Sequence, residues 1–189
     1  VSLRQQLLDN NYLVIKNFIS EEKAKDLNAW LVNEKTHGRL IQDPRFNLGL
    51  YAKAYQDAIP FLDLLCEKIN EVSDVIGEKV LPTYAYSAIY ENNSALIRHK
   101  DRSACEISVT VHLDGDKDWD LGIKTPSEEE IKLNLNVGDA LLYLGCKAEH
   151  WREGLYQGKS YSQAMLHYVR SNGSNAWAFF DKKKINNEI

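Results

Sequence analysis

Ile97-Arg98-His99-Lys100-Asp101 places an imidazole and a carboxylate two residues apart at the end of an alternating, strand-like run. On an extended backbone positions i and i+2 share a face, so His99 and Asp101 can close on one cation while Lys100 points away. A third ligand must come from elsewhere in the chain. His150 is the candidate, because Leu141 to Trp151 is the next apolar stretch that leads to a histidine. Two imidazoles and one carboxylate on one side of a metal leave the other side open to exchangeable ligands.

Working outward from this stretch, the hydrophobic pattern from Lys79 onward has a period of two. Val80 to Tyr90, Ala95 to His99, Cys105 to Leu113, Leu121 to Lys124, Glu130 to Asn134, Ala140 to Leu144, Tyr161 to Val169 and Ala176 to Phe180 all read as strands. Many short strands separated by Gly, Asp and Asn turns predict a sandwich or jelly roll. On the strand Cys105 to Leu113, alternation puts Ser108, Thr110 and His112 on one face and Ile107, Val109 and Val111 on the other. The polar face is expected to line a pocket.

Before residue 79 the period is helical. Leu13-Val14-Ile15 is a short β-rich run. Ser20 then offers a cap, Glu21 and Glu22 suit the positive end of a helix, and Ala24, Leu27, Leu31 and Val32 recur at helical spacing as far as Gly38. A second helical pattern runs from about Ala54 to Val72, with Pro60 marking either a kink or the first turn. The expected fold class is mainly β (α+β): helical support over about 1–78 packed on one outer sheet face, and a strand-rich core over about 79–181. All of it is read as a single domain of 189 residues, 44% hydrophobic.

A formal charge of −4 gives no basic field for a phosphate backbone, so nucleic acid is not an expected partner. Cys66, Cys105 and Cys146 have no metal-type spacing and are an odd number for a disulfide framework. No apolar run approaches the roughly 20 residues of a membrane span. The expectation is a cytoplasmic enzyme or binding protein without a membrane partner. Oligomeric state is not legible.

Lys159, in Tyr156-Gln157-Gly158-Lys159-Ser160, precedes a strand and either projects into the interior beside an anion or lies in a solvated turn. Together, His99-x-Asp101, His150 and Lys159, in that order on a strand-rich half of the chain, resemble the Fe(II)/2-oxoglutarate-dependent dioxygenases, in particular the prolyl 4-hydroxylase-like branch, over about Leu81 to Phe180. The resemblance implies a double-stranded β-helix (jelly roll) with His99, Asp101 and His150 as iron ligands. It implies that Lys159 pairs with the distal carboxylate of 2-oxoglutarate, that Tyr90 borders the co-substrate, and that Thr110 and Gln163 belong to the same shell. His112 stands where relatives often have a tyrosine. It assists Lys159, contacts substrate, or is a satisfied interior histidine. The implied reaction consumes O2 and 2-oxoglutarate, hydroxylates a C–H bond of a peptide, protein or small molecule, and releases succinate and CO2. A peptidyl proline or another amino-acid side chain is the first expectation for the substrate.

Two other readings compete: a cupin-like jelly-roll module that holds a metal or sugar without redox activity, and a metal-free interaction domain. The acidic run Asp114 to Asp120 lacks the glycine and glutamate of a calcium loop and reads as a polar hairpin. Trp151 and Arg152 either touch substrate or pack. The Lys182-Lys183-Lys184 tail reads as solvated.

Overall fold

The computed structural model describes residues 2–42, 50–54 and 58–181. Its elements run in the order α1 (Leu3–Asn10), β1 (Tyr12–Ile15), α2 (Glu21–Thr36), β2 (Ile41–Gln42), β3 (Leu50–Ala54), α3 (Ile59–Glu67), α4 (Ile69–Ile76), β4 (Val80–Glu91), β5 (Ile107–Gly115), β6 (Leu121–Lys124), β7 (Glu130–Leu133), β8 (Ala140–Tyr143), β9 (His150–Arg152) and β10 (Ser160–Arg170). All pairings are antiparallel. One sheet has the order β1-β8-β5-β10-β4-β3-β2 and the other β7-β6-β9. This two-sheet arrangement is the expected double-stranded β-helix.

The alternation read in β5 is realised. Ile107, Val109 and Val111 are wholly buried with Leu27 and Leu31 of α2 and Phe61, Leu64 and Leu65 of α3. Each such side chain is worth roughly 1.5–3 kcal/mol when taken out of water. Ser108, Thr110 and His112 face inward, between the sheets. Opposite Ser162 and Gln163 of β10, β5 carries an extra residue, Leu113. Such a bulge bends a strand and re-aims its neighbours, here beside Gln163.

Helix α2 starts as expected: the Ser20 side chain accepts from the Lys23 N–H at 3.1 Å, and Gly38 adopts a left-handed φ of 66° just beyond the helix. Val32 departs from the expected face and is 45% exposed. The second helical pattern divides at Lys68 into α3 and α4, with Pro60 in the first turn of α3. Ala54 ends β3, and residues 55–57 lie outside the described residues. Helix α1 and strands β2 and β3 were not legible, so the first 78 residues supply three strands of the larger sheet as well as its helical cover.

Two expected strands are corrected. Ala95 to His99 forms no ladder. His99 makes one isolated antiparallel bridge with His150, and the Leu96 carbonyl accepts from the Arg152 N–H at 3.0 Å. The segment follows β9 through these backbone bonds without the consecutive partners a strand needs. Ala176 to Phe180 is a 3-10 segment, Ala176–Asp181, broken where Phe180 takes a φ of 49°. β4 already has β3 and β10 on its two edges, so no edge there is free, and Ala178 buries itself against Ala104 and Val169 instead. The lysine tail at 182–184 lies outside the described residues.

Candidate metal centre and cofactor cavity

His99 and His150 stand directly opposite each other in their bridge, each donating its backbone N–H to the other's carbonyl at 3.1 and 3.0 Å. That register puts both imidazoles on one face with ring centroids 4.3 Å apart. The His99 Nδ1 lies 2.8 Å from the Ile97 carbonyl, and the His150 Nδ1 3.0 Å from the Ala148 carbonyl. A carbonyl only accepts, so both Nδ1 atoms carry the proton and both Nε2 atoms present a lone pair, that of His150 with the Tyr143 hydroxyl 3.4 Å away. These nitrogens converge on Asp101 Oδ1, which lies 3.6 Å from each. Carbonyls that hold the far nitrogen of a ligating imidazole in this way are the usual second layer of a metal site. Two ligand atoms bound at about 2.1 Å and 90–110° apart would be separated by about 3.0–3.4 Å. The two distances from Asp101 are close to that range, and all three ligand atoms lie within 4.8 Å of one another. Burial lowers the pKa of His150, against the opposing pull of Asp101, and so favours the neutral imidazole a metal requires.

Asp101 is itself held. Its N–H donates to the Gly145 carbonyl at 2.9 Å, and its Oδ2 accepts from the Ser108 hydroxyl at 2.7 Å. Asp101 also belongs to a second cluster with Cys105 and His167. Burial pushes the Cys105 thiol up to about 12 and the His167 imidazole down to about 4. The Tyr143 hydroxyl reaches within 3.4 Å of His150 Nε2, and burial raises its pKa well above the ordinary value.

The three candidate ligands open into a cavity of about 290 Å³ whose walls include Tyr84, Tyr86, Tyr90, Thr110, Tyr143, Gln163, Met165 and His167. Tyr90, Thr110 and Gln163 are thus gathered with the metal triad. Behind Gln163 sits Arg152, 4% exposed. Its Nη2 donates to Gln163 Oε1, its Nη1 to the Trp119 carbonyl at 2.5 Å, and its Nε meets no acceptor. Gln163 Nε2 in turn donates to the Tyr90 hydroxyl at 3.0 Å, which burial pushes up to about 12 despite the guanidinium nearby. Among the described residues no carboxylate forms an ion pair with Arg152. A buried cation of this sort calls for an anion.

Lys159 does not reach the cavity. It is exposed one residue before β10, and its backbone N–H is bound to both oxygens of Asp116 at 2.8 and 2.9 Å. The same carboxylate accepts from the Tyr156 hydroxyl at 2.7 Å and the Ser160 N–H at 3.1 Å. These bonds anchor the turn at the rim and leave the lysine side chain in water. They also give the acidic run its role: Asp116 fastens two loops together. His112 is buried and stacked on Tyr161, centroids 4.4 Å apart, and is not part of the cavity wall. Its Nδ1 has no hydrogen-bond partner among the described residues, and burial holds its pKa down to about 4. Trp151 packs under the Arg98 guanidinium, 3.6 Å from ring centroid to carbon.

No protein-family model matches the sequence, and no curated protein matches it either. The fold does match solved structures. A Pseudomonas putida prolyl-4-hydroxylase superposes with a TM-score of 0.72 at 14% identity, over 89% of this chain and 97% of that one. HygX from Streptomyces hygroscopicus, solved with nickel and 2-oxoglutarate, gives 0.73 at 13% identity, over 90% and 87%. A Trichoplax adhaerens prolyl hydroxylase, in complex with a hypoxia inducible factor peptide fragment, gives 0.72 at 15%, over 89% and 88%. Across about nine-tenths of its length this chain is therefore similar in structure to Fe(II)/2-oxoglutarate oxygenases, prolyl 4-hydroxylases among them, and shares their double-stranded β-helix.

Proposed function

We propose that this protein is an Fe(II)- and 2-oxoglutarate-dependent dioxygenase that hydroxylates a C–H bond. The observation that carries the reading is the convergence of His99, Asp101 and His150 at one cavity that has, behind its wall, a buried guanidinium without an ion-paired acid among the described residues. His99 Nε2, His150 Nε2 and Asp101 Oδ1 would hold the iron, and Arg152, with Gln163 and Tyr90, the far carboxylate of 2-oxoglutarate. Arg152 takes the role expected of Lys159: its planar fork suits a carboxylate, and burial strengthens the pairing. When bound, iron and 2-oxoglutarate supply the oxidation of a C–H bond by O2, with release of succinate and CO2. The chain's own part is to position that bond and to keep water from the site, for which Tyr84, Tyr86 and Met165 supply a largely apolar wall.

The substrate is proposed to be an amino-acid side chain of a peptide, proline first, or a small molecule that fits the same mouth. The structural neighbours include one protein solved with a peptide and one solved with hygromycin B, and fold likeness alone does not choose between them.

The test is spectroscopic. Anaerobic addition of Fe(II) and then 2-oxoglutarate should produce a weak visible charge-transfer band, and the Asp101→Ala protein should show none. Metal binding that 2-oxoglutarate leaves unchanged, with no succinate formed, would instead favour a divalent-ion-binding jelly roll without redox activity.

A further inference from the structure

Asp101 presents its two oxygens to different surroundings. Oδ1 faces the histidines, 3.6 Å from each Nε2, and Oδ2 accepts the Ser108 hydroxyl at 2.7 Å. Ser108 has a single proton. The carboxylate takes it in preference to the Cys105 carbonyl, a neutral acceptor at 3.2 Å. A further contact of the hydroxyl oxygen, 3.0 Å from His167 Nδ1, is then satisfied only if Nδ1 carries a proton and donates it. His167 stands opposite Ser108 in the β5–β10 register, 6% exposed, with its ring 4.6 Å from that of Tyr84. Its position is fixed by strand pairing and packing. On the other side of the carboxylate is Gly145, where a Cβ would collide with Asp101 Oδ2 and lie 2.8 Å from Ser108 Oγ.

We propose that Ser108 and His167 are positioning residues: a relay from His167 Nδ1–H through the Ser108 hydroxyl occupies Asp101 Oδ2, so that Oδ1 alone is offered to the metal. This rests on the metal-centre reading above and adds a reason for the enclosure of Asp101. A carboxylate that bound through both oxygens would fill a coordination position that an exchangeable ligand needs. The relay prevents this by giving Oδ2 a permanent partner. The hydroxyl also lies between Asp101 and His167, so two members of the Asp101–Cys105–His167 cluster are already joined through a hydrogen-bonded hydroxyl.

The first arm uses the metal-free wild-type protein. Long-range 1H–15N correlation of the His167 ring, assigned by its loss in His167→Leu, should show a protonated Nδ1 and a bare Nε2. The opposite tautomer overturns the relay whatever the variants do. The second arm uses Co(II) alone as probe. Ser108→Ala and His167→Leu should bind it roughly 10–100-fold more weakly, the usual effect of losing an outer partner of a metal ligand, with a changed visible ligand-field spectrum. His167→Asn, whose side-chain N–H falls close to the position of Nδ1–H, should recover most of both. Wild-type affinity and spectrum in folded Ser108→Ala would overturn the proposal while leaving the metal centre intact. Absence of any Co(II) spectrum that depends on His99 would remove the metal centre itself, and the relay's role with it.

Discussion

Replacing Arg152 with methionine should separate stability from co-substrate binding. The guanidinium is buried with two carbonyl-type acceptors, the faces of Tyr161 and Trp119 at 4.7 and 5.3 Å, and no acid among the described residues. Burying an ion costs several kcal/mol, and charged hydrogen bonds return about 1.5–3 kcal/mol each. Methionine fills much of the same space without the charge. It leaves the Trp119 and Gln163 oxygens short of a donor, at about 1–3 kcal/mol each. These effects oppose one another, so the stability of the ligand-free protein should change little. On the proposed assignment the diacid would lose its partner: truncating one side of a buried charge pair costs about 2–5 kcal/mol, or roughly 30-fold to several thousand-fold in Kd. The assay is thermal unfolding of the Mn(II)-loaded protein with and without 2-oxoglutarate. At 100 times Kd the ligand stabilises by about 2.7 kcal/mol, a rise in Tm of roughly 5–10 °C for a chain of this size. Arg152→Met should keep its unliganded Tm and lose that rise, and Lys159→Ala should keep both. A Lys159→Ala protein that loses the rise while Arg152→Met retains it would refute the assignment.

Gly145→Ala should drive a methyl group into Asp101 Oδ2 and the Cys105 carbonyl, destabilising the fold by about 1–3 kcal/mol as overpacking does and weakening metal binding; calorimetry and Co(II) titration check both. Burial holds His112 and His167 down to about 4, from 6.5 in the unfolded chain. Over that interval the unfolded chain takes up the protons, so stability is full above about pH 6.5 and falls as the pH drops toward 4. The loss is about 3 kcal/mol per histidine. Urea unfolding across this range should show it, and His112→Phe should remove that residue's share of the slope, leaving the part due to His167 and His150. Trp119→Ala should cost about 3–5 kcal/mol, since Trp119 packs against Tyr90, Tyr156 and Tyr161; an unchanged urea midpoint would contradict the packing described.

Period two was the most informative signal in this chain, because a strand between helices and a cavity must alternate. Ile107, Val109 and Val111 against Ser108, Thr110 and His112 showed it: the apolar face packs under the helices, while of the polar face only Thr110 lines the cavity. The same rule overreached at Ala176 to Phe180, where alternating small and aromatic residues also satisfy a 3-10 segment. No free sheet edge lies beside β4 to take that segment, and a sequence does not display which edges are free. The helix expected to begin near Ala54 failed for a related reason. An apolar pattern does not say where a strand ends and a helix starts, and Pro60 marked the first turn more reliably than the pattern did.

The site was legible where its geometry is local. Alternation suggested the pairing of His99 and Asp101, which lie 3.6 Å apart although the segment forms no strand, whereas bringing His150 to them needed the assumption that a later strand returns to the same end, which the His99–His150 bridge fulfils. Lys159 precedes the strand, so its residue pattern left an inward side chain and a solvated turn equally open, and only the family resemblance pointed inward. One residue outside β10, three backbone and side-chain donors on Asp116 decide where the chain goes. The i, i+2 argument that linked His99 to Asp101 applies equally to His150 and Arg152 on β9. Both are buried, with Trp151 between them under Arg98. Read with that symmetry, the segment bridged to β9 contributes a carboxylate beside its histidine, and β9 a guanidinium beside its own. The first can neutralise a bound cation and the second a bound anion. A ligand that joins a metal-chelating end to a distal carboxylate meets both requirements at once, which is why the two halves of the site are best tested with 2-oxoglutarate and the metal together.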